Sequence, residues 1–249
     1  MRVWLRPTIL AVALLVCTAC AGPAGTGVGP IAGPLPTADL SPDPVLSKAM
    51  TEALLAVRAG DARRAVDGYF DPIVAAYEVR YAAIKEPLYC ARTMAEATRY
   101  MQDALVHKRS ARVVEAGLVV AYVYRARELM ILGDPAKAEA GLLRARILAP
   151  ANTAVLIQLG ALYTALKKLP KALEAYQAAV ASFDLSPPRE RALEAADAFN
   201  GLGGAYLALG RLDEAEATYR RCLEVLPGNG LAQLELNEVR RRQADAQAR

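Results

Sequence analysis

A chain of 249 residues that is 54% apolar can bury a sizeable core, and its 6% aromatic content with abundant alanine suits close-packed helices better than a sheet. Its formal charge of +4, half of it from Arg2 and Arg6 ahead of Cys20, gives no reason to invoke nucleic acid. His107 is the single histidine and none of the serines sits in a Gly-x-Ser-x-Gly, which removes His-paired metal sites and leaves most Ser-His or Cys-His catalysis without its base.

Arg2 and Arg6 open the chain, and Pro7 to Val16 is an apolar run broken only by Thr8. That run is shorter than the ~20 apolar residues of a stable span and has the form of a secretory signal peptide. From Gly22 to about Pro44 Gly and Pro dominate, with almost no charge and no periodicity. Such a segment cannot bury enough surface to offset its ordering entropy, and it reads as a flexible tether with an r.m.s. reach of roughly 25–30 Å.

Helical periodicity begins near Val45. Leu46, Met50, Ala53, Leu54 and Val57 share a face, Gly60-Asp61 makes a turn, and Ala62 to Tyr69 forms a partner helix. Asp71-Pro72 reads as a helix start, with Asp as N-cap and Pro at the first helical position. That helix runs through Tyr77 and Tyr81 toward Ile84 and ends at Lys85-Glu86-Pro87. Thr93 and Glu96 have capping-box spacing at the head of another helix that reaches about His107, a surface histidine beside Lys108 and Arg109. A long helix is then expected from Val113 to Leu132. In this reading residues 71–110 are helical but carry no repeat.

Downstream the chain repeats itself. Leu159-Gly160-Ala161-Leu162-Tyr163, followed by Ala172, Tyr176 and Ala179, recurs as Leu202-Gly203-Gly204-Ala205-Tyr206, followed by Ala215, Tyr219 and Cys222, then Pro227. Ala138, Ala145 and Pro150 mark an earlier copy, so three units run Val119–Pro150, Thr153–Asp184 and Ala196–Pro227. The last interval exceeds the one before it, with Ser186-Pro187-Pro188 in the excess, which predicts a lengthened helix from about Arg189 to Leu209. Gly160 is expected to face Ala172, and Gly203 to face Ala215, where two helices cross closely. Gly201-Leu202-Gly203-Gly204 has no strand before it and the repeat explains Gly203, which argues against a phosphate loop. Gly228-Asn229-Gly230 stops the array and Leu231 to about Gln243 caps it.

This spacing resembles the tetratricopeptide repeat, a pair of antiparallel helices of about 34 residues. Gly60, Ala65 and Tyr69 match Gly210, Ala215 and Tyr219, which marks a degenerate repeat near the start. The resemblance implies an all-α, right-handed helical solenoid with irregular N-terminal helices and a C-terminal capping helix. Its divisions would be a signal peptide (1–19), a tether (20–44), the degenerate repeat with irregular helices (45–112) and the array with its cap (113–249). It also implies a concave wall lined by the first helix of each pair at its fifth, ninth and twelfth positions. These are Val123, Arg127 and Met130, then Ile157, Ala161 and Thr164, then Asn200, Gly204 and Leu207. Repeats of this family that grip a C-terminal carboxylate use several Lys and Asn there, and this chain has Asn200 alone. Small apolar side chains suit an amphipathic helix or an extended apolar segment instead. The alternative is that these residues, Leu207 first, touch the chain's own cap or its N-terminal helices.

Val16-Cys17-Thr18-Ala19-Cys20 resembles the lipobox of bacterial lipoproteins, with Cys17 in place of the usual Leu or Val. That implies a lipidated (palmitate-bearing) Cys20 after cleavage, and Ala21 in place of Asp implies an outer membrane, facing the periplasm. Together the resemblances imply an exported, membrane-anchored adaptor or scaffold that binds another envelope protein, with no cofactor, no metal and no nucleic acid. One rival is a structural self-assembling subunit. Another is an enzyme in residues 71–110, where Tyr77, Glu78, Tyr81, Tyr89, Cys90, Arg92 and Glu96 concentrate polar groups and Arg92 could activate the Cys90 thiol. Export permits a Cys90–Cys222 disulfide, which would require the irregular helices to fold back over the last repeat.

Overall fold

The computed structural model describes residues 35–248. Strand β1 (Thr37–Asp39) leads into α1 (Pro44–Arg58), α2 (Ala62–Ala65), a π-helical turn (Val66–Phe70) and α3 (Asp71–Tyr81). Next come β2 (Leu88–Ala91), α4 (Met94–Val106) and β3 (Arg112–Glu115). Three helical hairpins follow: α5 (Gly117–Ile131) with α6 (Pro135–Leu148), α7 (Thr153–Ala165) with α8 (Leu169–Val180), and α9 (Arg191–Ala208) with α10 (Leu212–Val225). Helix α11 (Gly230–Gln247) closes the stack. The first helices lie side by side, α5 on α7, α7 on α9 and α9 on α11, and so form one wall.

The hairpin turns share one device. Gly60, Gly133, Lys167 and Gly210 take φ of +74°, +78°, +58° and +72° just after α1, α5, α7 and α9. The left-handed conformation lets the last helical carbonyls be satisfied and turns the chain back, at no steric cost for Gly. The oxygen of Asp61 then accepts from Arg64 N and that of Asp134 from Lys137 N, capping the second helices. The first hairpin thus has the same turn as the repeats, although it lacks their Leu-Gly.

The array is held by tyrosines seated on glycines. A Cβ on Gly160 would come within 2.6 Å of the Tyr176 ring, and one on Gly201 within 2.1 Å of the same ring. Tyr176 on α8 therefore fills the space between α7 and α9. Tyr219 on α10 does the same against Gly203, where a Cβ would lie 2.7 Å from the ring. The glycines admit these rings, not the Ala172 and Ala215 expected as their partners. The reason is reach: a buried Ala spans too little to fill the gap between three helices.

The helical reading of residues 71–110 and the boundary of the tether are both corrected by a small parallel sheet of order β1-β3-β2. Thr37, Ala38 and Asp39 pair with Arg112, Val113 and Val114, while Leu88 to Ala91 pair with Arg112 to Glu115. The end of the expected tether is thus a strand, and the helix expected from Val113 begins only at Gly117. Helix α4 covers the sheet: Ala97 and Tyr100 pack with Ala91 and Val113, joined by Ala38, Leu40, Tyr89 and Met101. Thr93 caps α4 by accepting from Glu96 N at 3.0 Å, as its spacing predicts.

Asp71 does not cap α3. The backbone runs helically through Phe70 into Asp71, with a π turn between. Pro72 has no N–H for the carbonyl four residues back, and the loosened turn absorbs that missing bond. The Asp71 carboxylate instead accepts from Arg125 Nε on α5.

Candidate functional site

The wall built by α5, α7 and α9 carries two recesses. The first lies between α5 and α7, about 270 Å³ in volume, lined by Ala126, Arg127, Met130, Ile131, Gln158, Ala161 and Leu162 over Leu142 of α6. The second lies between α9 and α11, about 370 Å³, lined by Asn200, Gly204, Leu207, Ala208, Leu231, Glu235 and Arg242 over Tyr219. Both are open to solvent along the wall, and the first is mostly apolar.

The nine residues expected on this wall divide into open and occupied positions. Ala161 and Arg127 are exposed and Met130 is half-buried at the rim of the first recess. The Arg127 guanidinium stands 5.6 Å from the centre of the Tyr124 ring, which itself stacks on Phe70 at 6.2 Å. Val123 is buried, in a core shared with Ala53, Val66 and Phe70 of the N-terminal helices. Ile157 packs beside Ala179 and Ala198. Thr164 donates to the Gly160 carbonyl at 2.9 Å. Gly204 and Leu207 are half-buried at the second recess, and Leu207 packs on the cluster that includes Leu236 and Val239 of α11. Asn200 Nδ2 donates to Asn229 Oδ1 at 3.3 Å, and Asn229 caps α11. The last repeat's share of the wall is thus partly used by the chain's own cap. Cys20 lies outside the described residues.

Asp197 and Glu235, which the position rule does not select, also reach this wall. Asp197 is exposed on the face of α9 that also carries Gly204, seven residues on, and Glu235 lines the second recess. Crowding by the protein, together with Glu194, holds the Asp197 carboxyl above the usual range. A sequence signal for Asp197 existed in its helical spacing. None existed for Glu235, because the cap lies outside the repeat.

A second polar cluster sits where α4 meets the array. Arg92 Nη2 lies 2.9 Å from Glu96 Oε1, and its Nη1 lies 2.5 Å from Glu194 and 3.5 Å from Glu190. Ser186 Oγ is 2.5 Å from Glu194 Oε2 and 3.1 Å from Thr153 Oγ1, and Thr93 donates to the Leu185 carbonyl at 2.9 Å. The excess residues ahead of α9, with its extra first turn, therefore receive Arg92 and Thr93. Every carboxylate around Arg92 is engaged by groups of the chain itself.

Cys90 is not an activated thiol. Burial foremost, and then the charge of Glu115, push it up to about 12, and Arg92 faces its own carboxylates instead. Cys90 and Cys222 are both free and buried, one in the N-terminal core and the other in the C-terminal cluster. Tyr77 and Tyr81 stack at 5.8 Å, and Tyr122 donates to Glu78 at 2.7 Å, so these polar groups of the 71–110 region serve packing. Among the described residues no group of three or more His, Cys, Asp or Glu could hold a metal ion, and no helix is long and apolar enough to cross a membrane.

No curated protein matches the chain. Among solved structures, the first TPR of Spaghetti (RPAP3) bound to the HSP90 peptide SRMEEVD is 25% identical, over 51% of this chain and 93% of that one, with a TM-score of 0.45. The second TPR domain of human RPAP3, in complex with the HSP70 peptide SGPTIEEVD, is 21% identical over 49% and 94%, with a TM-score of 0.43. A Podospora anserina putative kinesin light chain with nearly identical TPR-like repeats is 17% identical over 82% and 97%, with a TM-score of 0.49. Residues 151–227, the second and third hairpins, match the tetratricopeptide repeat family, and the chain folds as a tetratricopeptide-type helical solenoid.

Proposed function

We propose that this chain is a membrane-anchored adaptor whose inner wall holds a segment of another protein of the cell envelope. The observation that carries the reading is the open apolar recess around Ala161, where Met130 and Ile131 offer contact and no side chain among the described residues covers it. The other dense polar feature, around Arg92, is satisfied internally and offers nothing to a substrate. An apolar helix or extended segment laid across α5 and α7 would remove this surface from water.

Ala161→Arg tests the wall. The position is exposed, so the variant should melt within a degree or two of the wild type and lose its partner in a pull-down from detergent-solubilised membranes. Retention of the partner by this variant would place binding on another face. Leu207→Arg does not serve the same purpose, because Leu207 packs on α11 and its replacement probes the cap.

The anchor rests on the sequence at Cys20. Lipid on that thiol would hold the protein to a bacterial membrane, and Ala21 favours the outer one, with the array facing the periplasm. Cys20→Ala should move the protein from the membrane fraction to the soluble fraction. Membrane association that survives the change would point to an uncleaved N-terminal helix or to a tightly held partner.

A further inference from the structure

The inner wall is not electrically uniform. At the α5 end Arg127 makes no ion pair among the described residues and rests on Tyr124, while its neighbour Glu128 is buried. The adjacent Arg125 is committed to Asp71. Helix α7 contributes only neutral groups to this face, Ile157, Gln158, Ala161 and Thr164. At the far end Asp197 and Glu235 have no basic group within ion-pair distance among the described residues. Arg242, the one cation lining the second recess, is held by Glu238 at 2.7 Å.

From the α5 face to the α9 face is two helix spacings, roughly 16–20 Å. An extended chain crosses that distance in about five or six residues. We infer that the wall takes its bound segment with one polarity: an apolar stretch of that length, with Lys or Arg directed toward the α9–α11 end, which Asp197 and Glu235 each make acidic, and an Asp or Glu over Arg127. Like charges facing each other across an interface cost affinity and suppress wrong partners, so an acidic tail directed at α9 is rejected. The basic flank gains a contact left open here, since neither carboxylate has a basic partner among the described residues. This inference rests on the inner wall being the binding surface, as proposed above, and adds the chemistry of what it binds.

The test is selection of random dodecapeptides displayed on phage against the full protein. Wild-type protein should enrich peptides with an apolar centre, a Lys or Arg at one flank and an Asp or Glu at the other. Binding of the enriched peptides should fall at least about tenfold on Ala161→Arg. Asp197→Lys with Glu235→Lys should replace the basic flank of the selected peptides by an acidic one. If that variant melts early, Asp197→Asn with Glu235→Gln should simply lose the basic preference, an about fivefold drop for the wild-type peptides. Arg127→Glu should lose the acidic flank alone. Peptides that depend on Ala161 yet carry no charge preference, or acids at the α9 end, would overturn the polarity and leave the binding wall standing. Peptides indifferent to Ala161, or no enrichment at all, would overturn the binding wall itself.

Discussion

Tyr176 shows how one side chain sets the spacing of three helices. Its ring lies against Gly160 on α7 and Gly201 on α9, at distances that leave no room for a Cβ on either. Tyr219 occupies the matching place against Gly203. A leucine at 203 must push that buried ring aside, and the interior is too densely packed to yield freely. Gly203→Leu should therefore lower stability by about 2–4 kcal/mol, read as a shift of the denaturation midpoint at unchanged slope. A midpoint unmoved by the substitution would mean that Tyr219 packs elsewhere. The spacing of the repeat made Gly160 and Gly203 legible as close-approach positions. It did not give the ring that approaches them, because the tyrosine lies one helical turn beyond the alanine that the pattern emphasises. Gly201 carried no signal at all. It is not part of the repeat, and only the fold brings it to Tyr176.

At the scale of elements, the helices were legible and the sheet was not. Each long helix carries several turns of apolar period and a turn residue at its end, so the evidence for it accumulates along the chain. The strands have three or four residues each, and Leu88–Ala91 and Arg112–Glu115 show no two-residue alternation. They are strands because they pair with segments far away in sequence, which no local window detects. Leu88, Cys90 and Val114 pack this module into the core of the array, and Arg92 ties it to the third hairpin. Its guanidinium is nearly buried and faces Glu96, which is wholly buried, and Glu194, which is almost so. Burial holds the Glu96 carboxyl above the ordinary range, against the opposing pull of Arg92. Arg92→Met leaves that carboxylate buried with no cation, and breaking such a pair costs about 3–5 kcal/mol. The pH dependence follows from linkage. Without Arg92 the folded pKa of Glu96 rises further, so the protonated form is favoured by folding. The variant is then least impaired near and below the unfolded value of 4.5, and its deficit grows as pH rises through the raised folded value. Urea titrations at about pH 5 and about pH 7 should show the larger deficit at the higher pH. An equal deficit at both would mean that water reaches Glu96.

At the scale of the molecule, the same contact alters how the solenoid should unfold. In a plain helical array each repeat touches only its neighbours, so stability is close to a sum of local terms and the ends can open alone. Here Arg92 reaches Glu194, 102 residues away in sequence, and Thr93 reaches Leu185. The sheet module thus bridges from the N-terminal helices to the start of the third hairpin, and Ala151, beside Tyr89 and Tyr100, joins the second hairpin to it. Opening α9 and α10 therefore also breaks the buried ion cluster, and opening the N-terminal helices strains β1, whose partner β3 leads directly into α5. The expectation is a single cooperative transition, with amides of α1, α7 and α9 exchanging through the same global opening in native-state hydrogen exchange. Arg92→Met with Glu194→Gln removes the charged part of the bridge, keeping the Thr93 and Ala151 contacts and the packing between repeats. In that variant α9, α10 and α11 should exchange by a lower-energy opening of their own, while α5 to α8 keep theirs. If the wild-type array already opens hairpin by hairpin, the module is only an appendage, and the residues inserted ahead of α9 serve some purpose other than holding it.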